Sequence, residues 1–161
     1  LIRLDPQRGL VPSLLDRLLP QDPGSGLSVR PDGFRIEQMV ESVRRDLENL
    51  LNTRQTQWDL PPEYVELTRS VFTFGVPDVT RLSTMALERL NELGPLIQEL
   101  IERFEPRLRD VQVLLSQMSS KGREIRFHIE GRLRVEPFPE LGFETVVELT
   151  SGRAQVTSTE S

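Results

Sequence analysis

A change of period at Pro106 constrains this chain more than any other feature. Before it, apolar residues recur every three or four positions, the spacing that lays side chains along one stripe of a helix. After it they alternate with polar ones, the spacing that gives a strand one buried face. Ile125, Phe127, Ile129, Leu133 and Val135 fall on one side, and Arg126, His128, Glu130, Arg132 and Arg134 on the other. Helices followed by a contiguous run of strands predict an α+β fold, with N-terminal helices packed on a C-terminal four-stranded, mainly antiparallel sheet.

The helical half divides at its prolines and glycines. Pro12 opens a short helix carrying Leu14, Leu15, Leu18 and Leu19, which Pro20 ends. From Pro20 to Gly33 the chain holds three Pro and three Gly and reads as a flexible connection. Ile36, Val40, Val43, Leu47, Leu50 and Leu51 then form the strongest apolar stripe, with Asn52 as its stop. A short helix is expected over Val65 to Phe74, closed by Gly75 and Pro77. A longer one is expected from a Ser83 cap to Phe104, kinked or broken at Gly94-Pro95, because proline removes a helical hydrogen bond and clashes one turn back.

In the other half, Leu108 to Leu115 reads as the first strand, Gln117 to Gly122 as a turn, and Phe143 to Thr150 as the third strand. Ser151-Gly152 signals a hairpin into a short fourth strand with Ala154 and Val156. The organisation that follows is an N-terminal helix and linker over 1–33, one α+β domain over 34–157 and a polar tail over 158–161.

Composition removes several function classes. Lys and Arg total 20 against 25 Asp and Glu, a formal charge of −5, and the basic residues are scattered. Duplex binding needs positive charge gathered on one face, so no nucleic-acid partner is expected. No cysteine is present, which rules out disulfides and thiolate chemistry. No apolar run approaches the roughly 20 residues that span a bilayer, so a soluble protein without direct membrane insertion is expected.

Little in the sequence suggests catalysis. His128 is the single histidine, and its strand parity puts it on the charged face. One histidine supports neither a nucleophile triad nor a histidine metal site, and no phosphate-binding glycine loop is present, so no catalytic residue, metal or cofactor is expected. Trp58 and Tyr64 flank Pro61-Pro62, a loop that either meets a partner or plugs the end of a small core; the plug is the plainer reading.

The segment Phe104-Glu105-Pro106-Arg107-Leu108 stands out. If it is extended, Glu105 and Arg107 project to one side about 7 Å apart and make a compact polar hook. From spacing alone, two idle surface charges, which are common and weak, are the plainer reading.

Several stretches together carry a family resemblance. They are RGLVPSLLDRLL (Arg8 to Leu19), SVRRDLENLLNTR (Ser42 to Arg54), SVFTFGVPD (Ser70 to Asp78), FEPRL (Phe104 to Leu108), Ile125 to Leu133, and ELTSGRAQV (Glu148 to Val156). In this order they resemble the lysozyme-like baseplate wedge family of contractile injection machines, in its type VI secretion branch, TssE. The resemblance implies a structural, non-enzymatic baseplate subunit, cytoplasmic and docked at the inner membrane. The implied partners are the baseplate proteins TssF, TssG and TssK and the sheath proteins TssB and TssC. It also implies that Glu105, Pro106 and Arg107 bind the wedge core bundle, and that the closing sheet helps initiate sheath assembly by strand addition.

Two other readings stay open. A lysozyme-like peptidoglycan glycosidase needs two carboxyls in a cleft, one of them protonated. Glu105 is the one candidate, and the adjacent Arg107 favours its ionised form. Such an enzyme also needs export, and the opening segment lacks the uninterrupted apolar stretch of a signal peptide. A small regulatory adaptor on the same fold is the third reading.

Overall fold

The structure, a computed structural model, describes residues 36–55, 61, 63–67, 70–77, 87–118 and 124–159. The expected helix at Pro12, the connection Pro20 to Gly33, Trp58 and the Ser83 cap lie outside the described residues. Among the described residues two helices, α1 (Ile36–Asn52) and α2 (Leu87–Phe104), precede four strands. These are β1 (Leu108–Met118), β2 (Glu124–Leu133), β3 (Glu140–Glu148) and β4 (Ala154–Thr159). The sheet is antiparallel throughout, in the order β1-β2-β3-β4. The α+β expectation holds.

The core lies between the helices and one sheet face. Met39, Val43, Leu47, Leu50 and Leu51 of α1 are buried, as are Leu93, Ile97, Leu100 and Ile101 of α2. They meet the alternating Ile125, Phe127, Ile129 and Leu133 of β2, all 0% exposed, with Phe143 beside them on β3. α2 lies over β1 and α1 over β4, so each helix covers one flank of the sheet.

Three expectations change. Of the kink or break expected at Gly94-Pro95, the break does not occur: α2 continues through it. Losing one helical bond at a proline costs about 3 kcal/mol. Burying an aliphatic side chain stabilises by about 1.5–3 kcal/mol each, and Leu93, Ile97, Leu100 and Ile101 straddle the proline, so packing outweighs the defect. The stretch from Val65 to Phe74 is not one helix. Its described residues form turns and 3-10 turns, of which the one over Val71–Thr73 is capped by the Ser70 hydroxyl. Val65 and Val71 are well exposed, so the segment has no buried stripe to hold a longer helix. β4 continues to Thr159, two residues into the stretch read as tail, because it pairs with β3 as far as Gly142.

Strand boundaries also shift. β1 continues to Met118 and is interrupted by bulges between Arg109 and Gln112 and between Leu115 and Gln117. Asp110 sits in the first bulge with φ 52°, the left-handed conformation a bulge permits and an aspartate tolerates. The β3–β4 connection closes with a bond from the Glu148 amide to the Arg153 carbonyl, and Gly152 supplies the positive φ of 69° that the turn requires.

Candidate functional site

The junction from α2 to β1 is a tight turn rather than an extended segment. The Glu105 amide still donates to the Ile101 carbonyl at 2.8 Å, completing the helix. The Leu108 amide then donates to the Glu105 carbonyl at 3.1 Å. Pro106, whose ring presets φ, occupies the second position of this turn and is exposed.

The turn brings the Glu105 and Arg107 side chains together. Glu105 is 4% exposed, an unusual place for a carboxylate unless it is paired. Its Oε1 accepts from Arg107 Nε at 2.6 Å and from the Arg107 amide at 3.2 Å, and its Oε2 accepts from Nη2. Arg107 also reaches α1. Nη2 donates to Asp46 Oδ2 at 2.6 Å, and Nη1 donates to Ser42 Oγ at 2.8 Å while touching Met39 Sδ at 3.9 Å. A guanidinium carries five N–H groups in a planar fork, and this set engages all five.

Burial opposes the charge on Arg107. The hydrogen bond and charge of Glu105, followed by those of Asp46, outweigh it and hold the guanidinium above its ordinary range. The arrangement is thus a closed ionic clamp between α1 and the α2–β1 turn. The two side chains do share one side, as the spacing predicts, but they face inward onto α1 and expose Pro106 at the tip.

A second carboxylate does approach Glu105: Asp46, through the shared Nη2. A glycosidase requires one carboxyl to present a proton to a substrate. Here both accept hydrogen bonds from the guanidinium seated between them.

Nearby backbone bonds fix the junction further. The Arg134 amide donates to the Arg107 carbonyl at 2.8 Å, and Arg134 Nε donates to the Leu108 carbonyl at 3.0 Å. The residue just after β2 therefore braces the turn as well.

His128 lies where its parity placed it, on the outer face, and is half-buried. Its Nδ1 is 2.7 Å from Glu144 and its Nε2 is 3.1 Å from Glu130. Glu144 is its cross-strand neighbour. Among the described residues no group of three or more ligand-type side chains could hold a metal ion. Tyr64 is 53% exposed, so it does not plug the core. Pro61 is exposed too, and Trp58 and Pro62 lie outside the described residues.

The sequence reading missed Ser42 and Asp46. The available signal was their place at a four-residue step, on the flank of the α1 stripe where a polar residue meets the core boundary. It also missed the contacts of Arg44, Asn52 and Arg54 with the β4 side of the sheet.

No helix among the described residues is long and apolar enough to cross a membrane. No curated protein sequence matches the chain significantly. A solved structure described as "The baseplate complex from the type VI secretion system" matches with 18% identity and a TM-score of 0.49, covering 78% of this chain and 97% of that one. The family described as "Baseplate wedge protein gp25" matches over residues 37–137, more than half of the chain, including α1, α2, the clamp and the first two strands. On that match, the chain belongs to the baseplate wedge protein gp25 family.

Proposed function

We propose that the chain is a structural wedge subunit of a type VI secretion baseplate. The observation that carries this reading is the braced α2–β1 turn inside the family match. A buried Glu105–Arg107 pair tied to Asp46 and Ser42 is costly to build for a surface that meets nothing. It presents Pro106 in one fixed shape, and a preorganised element loses less freedom on binding. Glu105, Pro106 and Arg107 thus act together: Pro106 meets the wedge core bundle, and the two charged side chains set its position.

The remaining assignments follow from the same reading. TssF, TssG and TssK are the baseplate partners, and the C-terminal sheet helps initiate the sheath of TssB and TssC. The protein works in the cytoplasm, in a baseplate docked at the inner membrane. Its role is structural, and it needs no cofactor.

Affinity recovery of the tagged chain from native cytosol tests this. Wild type should bring down TssF and TssG. Pro106→Lys, which alters the exposed tip and leaves the clamp in place, should lose them while keeping the wild-type circular dichroism spectrum. If Pro106→Lys and Arg107→Ala both retain the wedge proteins, the turn is not the binding element. If wild type recovers neither wedge nor sheath proteins, the baseplate reading itself is wrong.

A further inference from the structure

The turn at Pro106 shares its end of the sheet with a second connection. β1 begins where β2 ends, so the loop from β2 to β3, residues 134–139, lies beside the turn. Two backbone bonds tie the loop down. The Arg134 amide donates to the Arg107 carbonyl at 2.8 Å, and the Leu133 amide donates to the Pro139 carbonyl at 3.1 Å.

Arg134 differs from the other arginines at this end. Arg107 is matched by Glu105 and Asp46, Arg132 by Glu140 at 2.6 Å, and Arg109 by Asp110 at 3.7 Å. Arg134 forms no ion pair with any described residue, the exposed Glu136 in its own loop included, and its Nη1 and Nη2 bond to none of them. The side chain is exposed, yet its Nε donates to the Leu108 carbonyl at 3.0 Å. That bond holds the planar fork and leaves both outer nitrogens available, the arrangement that grips a carboxylate through two parallel bonds. A fork already held loses less freedom on binding than one that swings in water.

Phe138 adds an apolar contact beside it. The residue is 39% exposed and has φ 58°, a left-handed conformation that bulky side chains rarely adopt. Its amide donates to the Val135 carbonyl at 2.6 Å, and the Arg109 guanidinium lies over its ring at 4.3 Å. Such a conformation persists where the surroundings enforce it, and residues held this way cluster at binding sites. Aromatic and arginine side chains are also those on which interface energy concentrates.

We propose that the surface that docks through Pro106 continues across this loop, with Arg134 as the receptor for a carboxylate and Phe138 as a second apolar contact. The occupant is the wedge core bundle, at a segment presenting an aspartate or glutamate beside an apolar side chain. That the partner is the wedge rests on the baseplate reading above; the carboxylate is called for by the unmatched guanidinium.

The test is titration of purified TssF–TssG with the full chain at low and at high salt. Arg134→Gln should weaken binding at least about tenfold at low salt and make it less sensitive to salt, since one ion pair across the interface is gone. Arg134→Glu should weaken it further, because like charges then face each other. Glu136→Gln removes a charge that repels the partner's carboxylate and should bind at least as tightly as wild type. Phe138→Asn keeps a residue that tolerates the left-handed conformation and should weaken binding about tenfold with unchanged salt sensitivity.

Arg134 also braces the turn, and loss of that brace alone would weaken binding while leaving the salt sensitivity at its wild-type value. That outcome, or wild-type affinity in Arg134→Gln, overturns the carboxylate receptor while docking through Pro106 stands. Weaker binding by Glu136→Gln overturns it too, since the partner would then present a positive charge. Wild-type affinity in Phe138→Asn removes the second apolar contact. If wild type itself shows no affinity for TssF–TssG, the baseplate reading fails and this extension with it.

Discussion

Removing the charge of Arg107 should cost far more than breaking an ordinary surface ion pair. Arg107→Met keeps most of the aliphatic stem but leaves Glu105, 4% exposed, without its counter-charge. It also removes the donors to Asp46 and Ser42. Breaking a buried ionic pair from one side typically costs about 3–5 kcal/mol, because a buried charge is left behind. The Arg107 and Asp46 side chains retain 20% and 21% exposure, so water reaches part of the network. The expected loss is therefore near the lower end, about 3 kcal/mol. For a chain of this size that lowers the melting temperature by about 6–12 °C.

A double-mutant cycle separates the clamp from simple loss of packing. Glu105→Gln keeps the shape of the carboxylate and removes its charge. If the two groups act as one unit, the double variant is less destabilised than the sum of the single ones, with a coupling of about 2 kcal/mol. Urea denaturation of the four proteins gives the value directly, provided the m-value stays constant. A cost below about 1 kcal/mol for Arg107→Met with no coupling is what exposed pairs give, and would refute the clamp.

Two further outcomes follow from local geometry. Gly75 has φ +103°, and a Cβ there would lie 2.5 Å from the Thr53 carbonyl oxygen, where the chain after α1 pairs with Val76. Gly75→Ala should cost about 3 kcal/mol in thermal or urea unfolding, whereas Gly142→Ala, whose nearest neighbour is 3.6 Å away, should cost little. The Arg44 hydrogen bond holds Glu41 below its ordinary value of 4.5, partly opposed by burial and assisted by the charges of Arg44 and Arg45. A depressed carboxylate stabilises the fold above its unfolded value and loses that contribution as pH falls through the folded one. Glu41→Gln should therefore flatten the stability profile below about pH 5, as read from urea midpoints across that range.

Local rules made most of the architecture legible. Alternation from Ile125 to Leu133 predicted which side chains of β2 are buried, since a strand's period of two leaves no freedom once one face is covered. The α1 stripe was equally plain, and Asn52 was correctly read as its stop, with its Nδ2 donating back to the Glu48 carbonyl at 2.9 Å. Where reading failed, a distant contact outweighed a local preference. Proline argues against helix at position 95, but the residues on both sides of it are buried against the sheet. Apolar spacing argues for helix at Val65 to Phe74, but Val71 and Phe72 stay exposed there while Phe74 packs edge-on against Phe104 at 5.2 Å.

The candidate site divides along the same line, and the division explains what a short motif can carry. Glu105 and Arg107 are two residues apart, so their encounter is a local matter that the turn at Pro106 decides. Whether the pair faces outward as a hook or inward as a clamp depends on Asp46, 61 residues from Arg107, and on Ser42, 65 residues away. No spacing within Phe104 to Leu108 contains that information. The same holds for Asn52, which ends α1 by a local bond and also, 102 residues on, takes the place of a strand beside Ala154. A single carboxamide thus joins the end of a helix to the closure of a sheet edge.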